Sequence, residues 1–306
     1  MRVSDNTFYG NMKKNLGVRR DALAAAQERA LSGLKVAKPS DDPMAFTQAR
    51  NHTVEQKRAA GYERTVTSAL PSLETSDTAL GDVEDVMRRV RDIAIQGAND
   101  TLNGTDRDKL RLELDGLKQQ LVTLGNTKTG DRYIFGGYRD GAPPFDAAGM
   151  YTGATTGPSV EAARNVMLPT GVTGDRVFGN VNGGQDMFEA ITTLQDALTA
   201  GPTTDPVTGD PVSPAVAISA TITSLDVSLE QVRSARSEVG LHLNSADISI
   251  GMAQREQDQA NEARSRLVEI DSVDAYSELM RAQTALSAAI EIAAQLPPPG
   301  LVDRAR

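Results

Sequence analysis

The chain has no cysteine and no tryptophan, two histidines and only 4% aromatic residues. Without cysteine there are no disulfides, thiolate metal ligands or cysteine nucleophiles, and the compartment is left open, because such a chain tolerates either redox state. His52 and His242 lie in separate helical patterns with no second imidazole nearby, so no metal-binding spacing forms. No 18-residue apolar run is present, which argues against a membrane-spanning helix. A net charge of −9 provides no basic face for phosphate neutralisation, so nucleic acid is not expected as the main partner. The polar start, residues 1–10, lacks the apolar core of a signal peptide, so any passage out of the cytoplasm would use no cleaved signal.

What is present is helical periodicity. From Ile222 to Leu296 apolar residues recur at steps of three and four: Leu225, Leu229, Val232, Val239, Leu243, Ala246, Ile250, Ala253, Ala260 and Leu267. After Asp271-Ser272 the series restarts at Tyr276, Leu279, Leu286, Ile290 and Ala293. This is the narrow seam of a coiled coil. Such a rod needs a partner, because 75 helical residues run roughly 110 Å at about 1.5 Å each. Near the N-terminus Met12, Leu16, Leu23, Ala26 and Ala30 repeat the spacing, and Gly33 and Pro39 end it. Arg19, Arg236, Gln257 and Arg264 are read as polar interruptions of the seams that set register. Two terminal seams of one spacing predict antiparallel pairing.

Between the seams, Ser40 or Asp41 is expected to cap a helix beginning at Pro43 that Pro71 kinks or ends. A helical hairpin follows. Its outgoing face is Leu73, Leu80, Val83, Met87, Val90 and Ala94; Asn103-Gly104 turns it; its return face is Leu110, Leu114, Leu117, Leu121 and Leu124. Thr105 with Asp108 reads as a capping box. From Tyr133 to about Val181 the apolar runs are short and Gly and Pro frequent, as in an irregular β-rich insert. Arg176-Val177-Phe178 is one of those runs, Met187 to Leu198 a short helix, and 201–214 a Pro-rich linker.

The fold class is therefore mostly α with a β-rich insert. Long antiparallel terminal helices form a coiled-coil-like rod, joined by a helical hairpin and a small irregular β domain at the far tip. The expected division is 1–40 with 270–306 for terminal assembly, 41–132 with 215–269 for the helical rod, and 133–214 for the outer domain. No nucleophile stands beside a plausible base, Asp41-Asp42 reads as a cap rather than a metal pair, and the Gly-rich 179–184 lacks the end of a phosphate loop. No catalytic, cofactor or metal residues are assigned. The assembly interface is assigned to Met12, Leu16, Leu23, Leu243, Ile250, Leu279, Leu286 and Ile290, with Leu243→Asp or Ile250→Asp expected to block incorporation and spare the insert.

Several of these segments resemble the hook-associated branch of the flagellin superfamily. They are Leu31-Ser32-Gly33-Leu34-Lys35-Val36 with Pro39-Ser40-Asp41-Asp42-Pro43, the stretch Leu73 to Leu80, Arg91 to Asn99, and Gly130-Asp131-Arg132-Tyr133-Ile134-Phe135-Gly136-Gly137. The resemblance implies a structural, non-enzymatic protein that joins hook to filament. It implies assembly with itself in a ring or helical lattice around a central bore, with the first hook-associated protein on one side and flagellin on the other. It also implies type III export and a chaperone at the C-terminal helices. Where relatives finish with an apolar end, this chain has Pro297-Pro298-Pro299 and the charged Asp303 to Arg306. A filament flagellin, or a coiled-coil adaptor outside the flagellum, are the alternative readings. Terminal seams that need company predict rapid amide hydrogen exchange over residues 10–30 in dilute monomer; strong protection there contradicts the assembly reading.

Overall fold

The computed structural model describes residues 2–99, 102–179, 184–199, 203–204, 211–212 and 214–295. The linker 201–214 and the Gly-rich 179–184 are thus only partly described, and 297–306 lie outside the described residues. Seven helices and three two-stranded antiparallel pairs are described. The helices are α1 (Arg2–Ser32), α2 (Pro43–Gly97), α3 (Gly104–Gly125), α4 (Gly174–Phe178), α5 (Met187–Thr199), α6 (Pro214–Val268) and α7 (Ser272–Ala294). The strands are β1 (Lys128–Thr129) with β2 (Arg132–Tyr133), β3 (Ser159–Ala163) with β4 (Val166–Pro169), and β5 (Thr203–Thr204) with β6 (Pro211–Val212). The chain divides into two compact units. One is Met1–Arg58 with Glu256–Arg306; the other is Ala59–Arg255.

In the Ala59–Arg255 unit the seams read from the sequence are buried as expected. Leu73, Leu80, Val83, Met87, Val90 and Ala94 of α2, Leu114 and Leu121 of α3, and Leu225, Leu229, Val232 and Val239 of α6 share one core. Fully burying each Leu or Val there contributes about 1.5–3 kcal/mol. Pro71 does not end α2, which continues through it. Val66 on one side and Leu73 on the other are both fully buried, and that packing outweighs the one backbone hydrogen bond proline removes.

The insert joins the same core through its aromatic rings. Phe178 stands 4.8 Å from Phe145, 5.6 Å from Phe135 and 5.9 Å from Phe188. The run Arg176-Val177-Phe178, grouped above with the β-rich text, belongs to the short helix α4 and drives Val177 and Phe178 inward. Gly125 and Gly174 leave room for Phe145: a Cβ on either would come within 2.9 Å of its ring. Tyr151 shares its one hydroxyl hydrogen between the carbonyls of Ala154 (2.7 Å) and Phe135 (3.0 Å), and burial, with Asp175 nearby, pushes its phenol up to about 12. The β3–β4 hairpin turns at Asn165, which takes the left-handed conformation at φ 60°, and lays Ala162 and Leu168 on Val66 and Ala246.

Polar side chains then fix register. Gln231 of α6 donates its amide to the carbonyls of Val177 (3.0 Å) and Gly179 (2.6 Å), while its oxygen accepts from the Gln185 N–H (3.1 Å). Glu84 of α2, only 8% exposed, accepts from Arg233 (2.9 Å) and Arg88 (2.6 Å). Arg236, read as a seam position, lies beside the seam, which passes through buried Ala235, and pairs with Asp77 at 3.1 Å. The caps also differ from expectation. Asp42, not Ser40 or Asp41, starts α2, accepting from the N–H groups of Met44 (3.0 Å) and Ala45 (2.9 Å). Asp41 faces backward and accepts from those of Ala37 (3.0 Å) and Lys38 (2.9 Å). Asn103, not Thr105, caps α3, accepting from Asp106 N–H at 2.9 Å. In each case the residue one or two places away had the geometry that ring closure onto the first free N–H groups requires.

The Arg233 and Arg88 hydrogen bonds hold the Glu84 carboxyl below the usual glutamate value of 4.5, against the opposing effect of its burial. A lowered folded pKa contributes stability that is present above 4.5 and is lost as pH falls through the folded value. Glu84→Gln is therefore expected to lower the urea midpoint at pH 7 and to shrink the loss of stability below pH 4.5. Leu80→Ala, which empties a fully buried site on the same helix, is expected to cost about 2–5 kcal/mol at all these pH values.

Candidate assembly interface

The terminal helices pair antiparallel within the Met1–Arg58 and Glu256–Arg306 unit. The register is set at one end by Arg29, whose guanidinium donates to both Glu278 oxygens at 3.0 and 3.2 Å. Leu34 bridges Glu269 antiparallel, Ile270 N–H donates to Gly33 O (2.9 Å), and Lys35 N–H to Val268 O (2.7 Å). Gly33 makes this turn possible by its φ of +69°, which ends α1 with its N–H on Arg29 O at 2.8 Å. Asp271 caps α7 by accepting from Val273 N–H at 2.7 Å. The 75-residue seam read from the sequence is therefore two helices, because residues 269–271 leave the helix to meet Gly33 and Leu34.

The inner face of this pair is narrow. Ala26 and Ala275 are buried, while Met12, Leu16, Leu23 and Ala30 on α1 and Leu279, Ala282, Ala285, Leu286, Ala289 and Ala293 on α7 are half-buried. Arg19, assigned to the seam, is exposed. On the outer side of α7, Val273 is 73%, Tyr276 63%, Met280 60% and Ile290 49% exposed, and Val18 and Leu31 stand out from α1. An open hollow on α7 is lined by Val273, Tyr276, Met280 and Arg281.

The eight assigned interface residues therefore fall into three settings. Met12, Leu16, Leu23, Leu279 and Leu286 lie half-buried on α1 and α7, and Ile290 faces outward. Leu243 and Ile250 lie in the other unit: Leu243 packs on the main core, and Ile250 on Val66, Ala246, Ala162 and Leu168. The expectation that Ile250→Asp spares the insert fails for that reason, since Ala162 and Leu168 belong to the β3–β4 hairpin. Val273, Met280 and Leu31 were not assigned. For Val273 and Met280 the signal was a second three-and-four series on α7, offset from the first; Leu31 lies on α1, outside that series.

His52 bonds Glu55 at 3.0 Å, and burial lowers the pKa of half-buried His242. Among the described residues no cluster of three His, Asp or Glu could hold a metal, and no helix is long and apolar enough to cross a membrane. The arrangement offers apolar surface and hydrogen-bonded register, the means of helix-to-helix contact.

Residues 3–140 match the bacterial flagellin N-terminal helical region. Along nearly its whole length the chain is similar to flagellar hook-associated protein 3 of Escherichia coli, 28% identical over 303 residues and covering 94% of each chain. The flagellar filament 41 kDa core protein of Borreliella burgdorferi is 25% identical over 126 residues, 41% of this chain and 38% of that one. The fold is that of the flagellar hook associated protein-3 of Legionella pneumophila, with a TM-score of 0.61 at 15% identity over 71% of this chain and 98% of that chain.

Because Val273, Tyr276 and Met280 are exposed, replacing all three with Ser is expected to shift the monomer's stability by about 0.5 kcal/mol or less per site. Urea titration checks this, and incorporation into flagella is expected to be lost. Normal incorporation would remove this face from the interface.

Proposed function

We propose that this chain, a flagellar structural protein related to hook-associated protein 3, joins the hook to the flagellin filament by assembling through its terminal helices. The carrying observation is the paired α1 and α7, whose thin shared seam leaves a second apolar face uncovered on α7. In water that face is a cost; against neighbouring subunits it is buried area at about 25 cal/mol per Å² of apolar surface. Many identical contacts in a closed or helical array outweigh the ordering entropy of each.

In this reading the chain meets the first hook-associated protein on the hook side and flagellin on the filament side. It leaves the cell through the flagellar type III channel without a cleaved signal peptide. An export chaperone covers its C-terminal helices until then, which keeps the Val273–Tyr276–Met280 face from associating early. A junction role is favoured over a filament subunit because similarity to the hook-associated relative spans 94% of the chain, against 41% for the filament protein.

Deleting the gene is expected to leave flagellin exported into the medium but not retained on the hook, and antibody to this chain is expected to label the hook–filament boundary of isolated flagella. Label along the whole filament would make the chain a filament subunit instead, and filaments of normal length on deletion cells would end the junction reading.

A further inference from the structure

A cleft of about 380 Å³ opens beside α2, lined also by the β1–β2 pair, the loop that follows it and the β3–β4 hairpin. Small-molecule sites span about 300–1,000 Å³, so it is large enough for one. Every residue that lines it belongs to the Ala59–Arg255 unit. Its hydroxyls come from separate elements: Ser68 and Ser72 from α2, Thr129 from β1, Ser159 from β3. Ser68 donates its hydrogen to Thr65 O (2.7 Å), and Thr170, which also lines the cleft, donates its own to Pro158 O (3.1 Å), so each keeps an oxygen that can accept. The Thr129 hydroxyl oxygen is buried and has no hydrogen-bond partner among the described residues. A buried group of that kind calls for a partner that the protein does not supply.

Arg132 and Asp140 carry the formal charges of the lining, and they pair with each other. Asp140 therefore cancels the cation that a phosphate or carboxylate ligand would need. The remaining guanidinium N–H groups can still donate, and the second carboxylate oxygen can still accept. Tyr133 and Tyr138 add aromatic surface. The Lys128 ammonium lies 4.4 Å from the centre of the Tyr133 ring, whereas Tyr138 is 60% exposed. The backbone that carries Tyr138 is fixed in advance. Gly137, at φ +62°, passes so close to the carbonyls of Ala154 and Thr156 that a Cβ would sit 2.7 Å from each. Tyr138 N–H donates to Thr156 O (3.2 Å) and Tyr133 N–H to Asp140 O (3.1 Å), so little ordering is left for a ligand to impose.

We propose that this cleft binds a small neutral saccharide. A sugar ring offers what the lining asks for: hydroxyls that both donate and accept along its edge, and a C–H face that lies against an aromatic ring. Tyr138 takes that face. Arg132 donates to ring hydroxyls, while Asp140, Ser68 and Thr170 accept from them, and Thr129 gains the partner it lacks. A wholly apolar ligand would bury these hydroxyls without compensation. An anion would meet the Asp140 carboxylate with no spare cation beside it. Binding here is separate from the junction role, since every lining residue lies outside the unit that pairs the terminal helices.

Saturation-transfer NMR on the purified full chain, with glucose, galactose, mannose, N-acetylglucosamine and lactose each at about 10 mM, tests this. At least one sugar is expected to receive saturation; none doing so overturns the proposal. For a sugar that binds, Tyr138→Ala is expected to weaken the affinity about tenfold, and Tyr138→Phe, which keeps the ring, to preserve it. Thr129→Val, similar in shape but without the hydroxyl, is expected to weaken it about fivefold. Because Tyr138 is exposed, the urea midpoint of Tyr138→Ala is expected to match that of the parent chain. Affinity unchanged in both Tyr138→Ala and Thr129→Val overturns the site. Inorganic phosphate is expected to leave the sugar bound; displacement by it would make the cleft an anion site and overturn the neutral ligand. The same sugars coupled to beads separate the two sources. Capture on beads as well as binding in solution assigns a glycan attached to a surface, and binding in solution without capture assigns a dissolved sugar.

Discussion

Contact between α1 and α7 is made largely through alanine, and most of what is distinctive about the terminal unit follows from that. Alanine-lined helices approach closely but bury little area, and each of the two keeps most of its circumference free. A seam of leucines would have given a self-sufficient pair. Here Ala26 and Ala275 are the buried centres, and the leucines Leu16, Leu23, Leu279 and Leu286 are only half covered. Apolar character is thus spread round α7 rather than gathered on one side, the pattern of a helix surrounded by others.

The Ala59–Arg255 unit is built by the opposite rule. Leu73, Leu80, Met87, Leu114, Leu121, Leu225 and Val232 are fully buried, and the insert adds a cluster of four phenylalanines to the same core. Hydrogen-bonded side chains then remove the remaining freedom: Gln231 holds the backbone around α4, and Glu84 joins α2 to α6 through Arg233. Area supplies the stability of this unit and these few polar groups supply its register.

Much of this was readable in the sequence. The Leu73–Ala94 and Leu110–Leu124 faces, the α5 helix and the α6 seam from Leu225 to Val239 are buried as their spacing requires, because long periodic segments report burial directly. Three kinds of feature were not readable. Pro71 inside α2 depends on packing that sequence spacing does not weigh. The caps at Asp42 and Asn103 depend on which of several adjacent polar residues reaches the free N–H groups. The placing of Leu243 and Ile250 depends on the β3–β4 hairpin and the main core covering α6, which periodicity cannot separate from cover by another chain. On α7 the spacing identified the helix correctly, but with apolar residues on both sides it could not say which side was already occupied.

The joint between α1 and α2 lies beside the joint between α6 and α7, and the two are laced together. Gly33 and Leu34 meet residues 269 and 270 through main-chain bonds, while Val36, Ala49 and Val268 form a small apolar plug just beyond. Loss of helix in α1 and α7 therefore meets a firebreak. Fraying that starts at the chain ends runs out where both helices have already stopped, and to go further it would have to breach a cluster of its own. Opening of α1 or α7 is thereby halted short of the Val36–Ala49–Val268 plug.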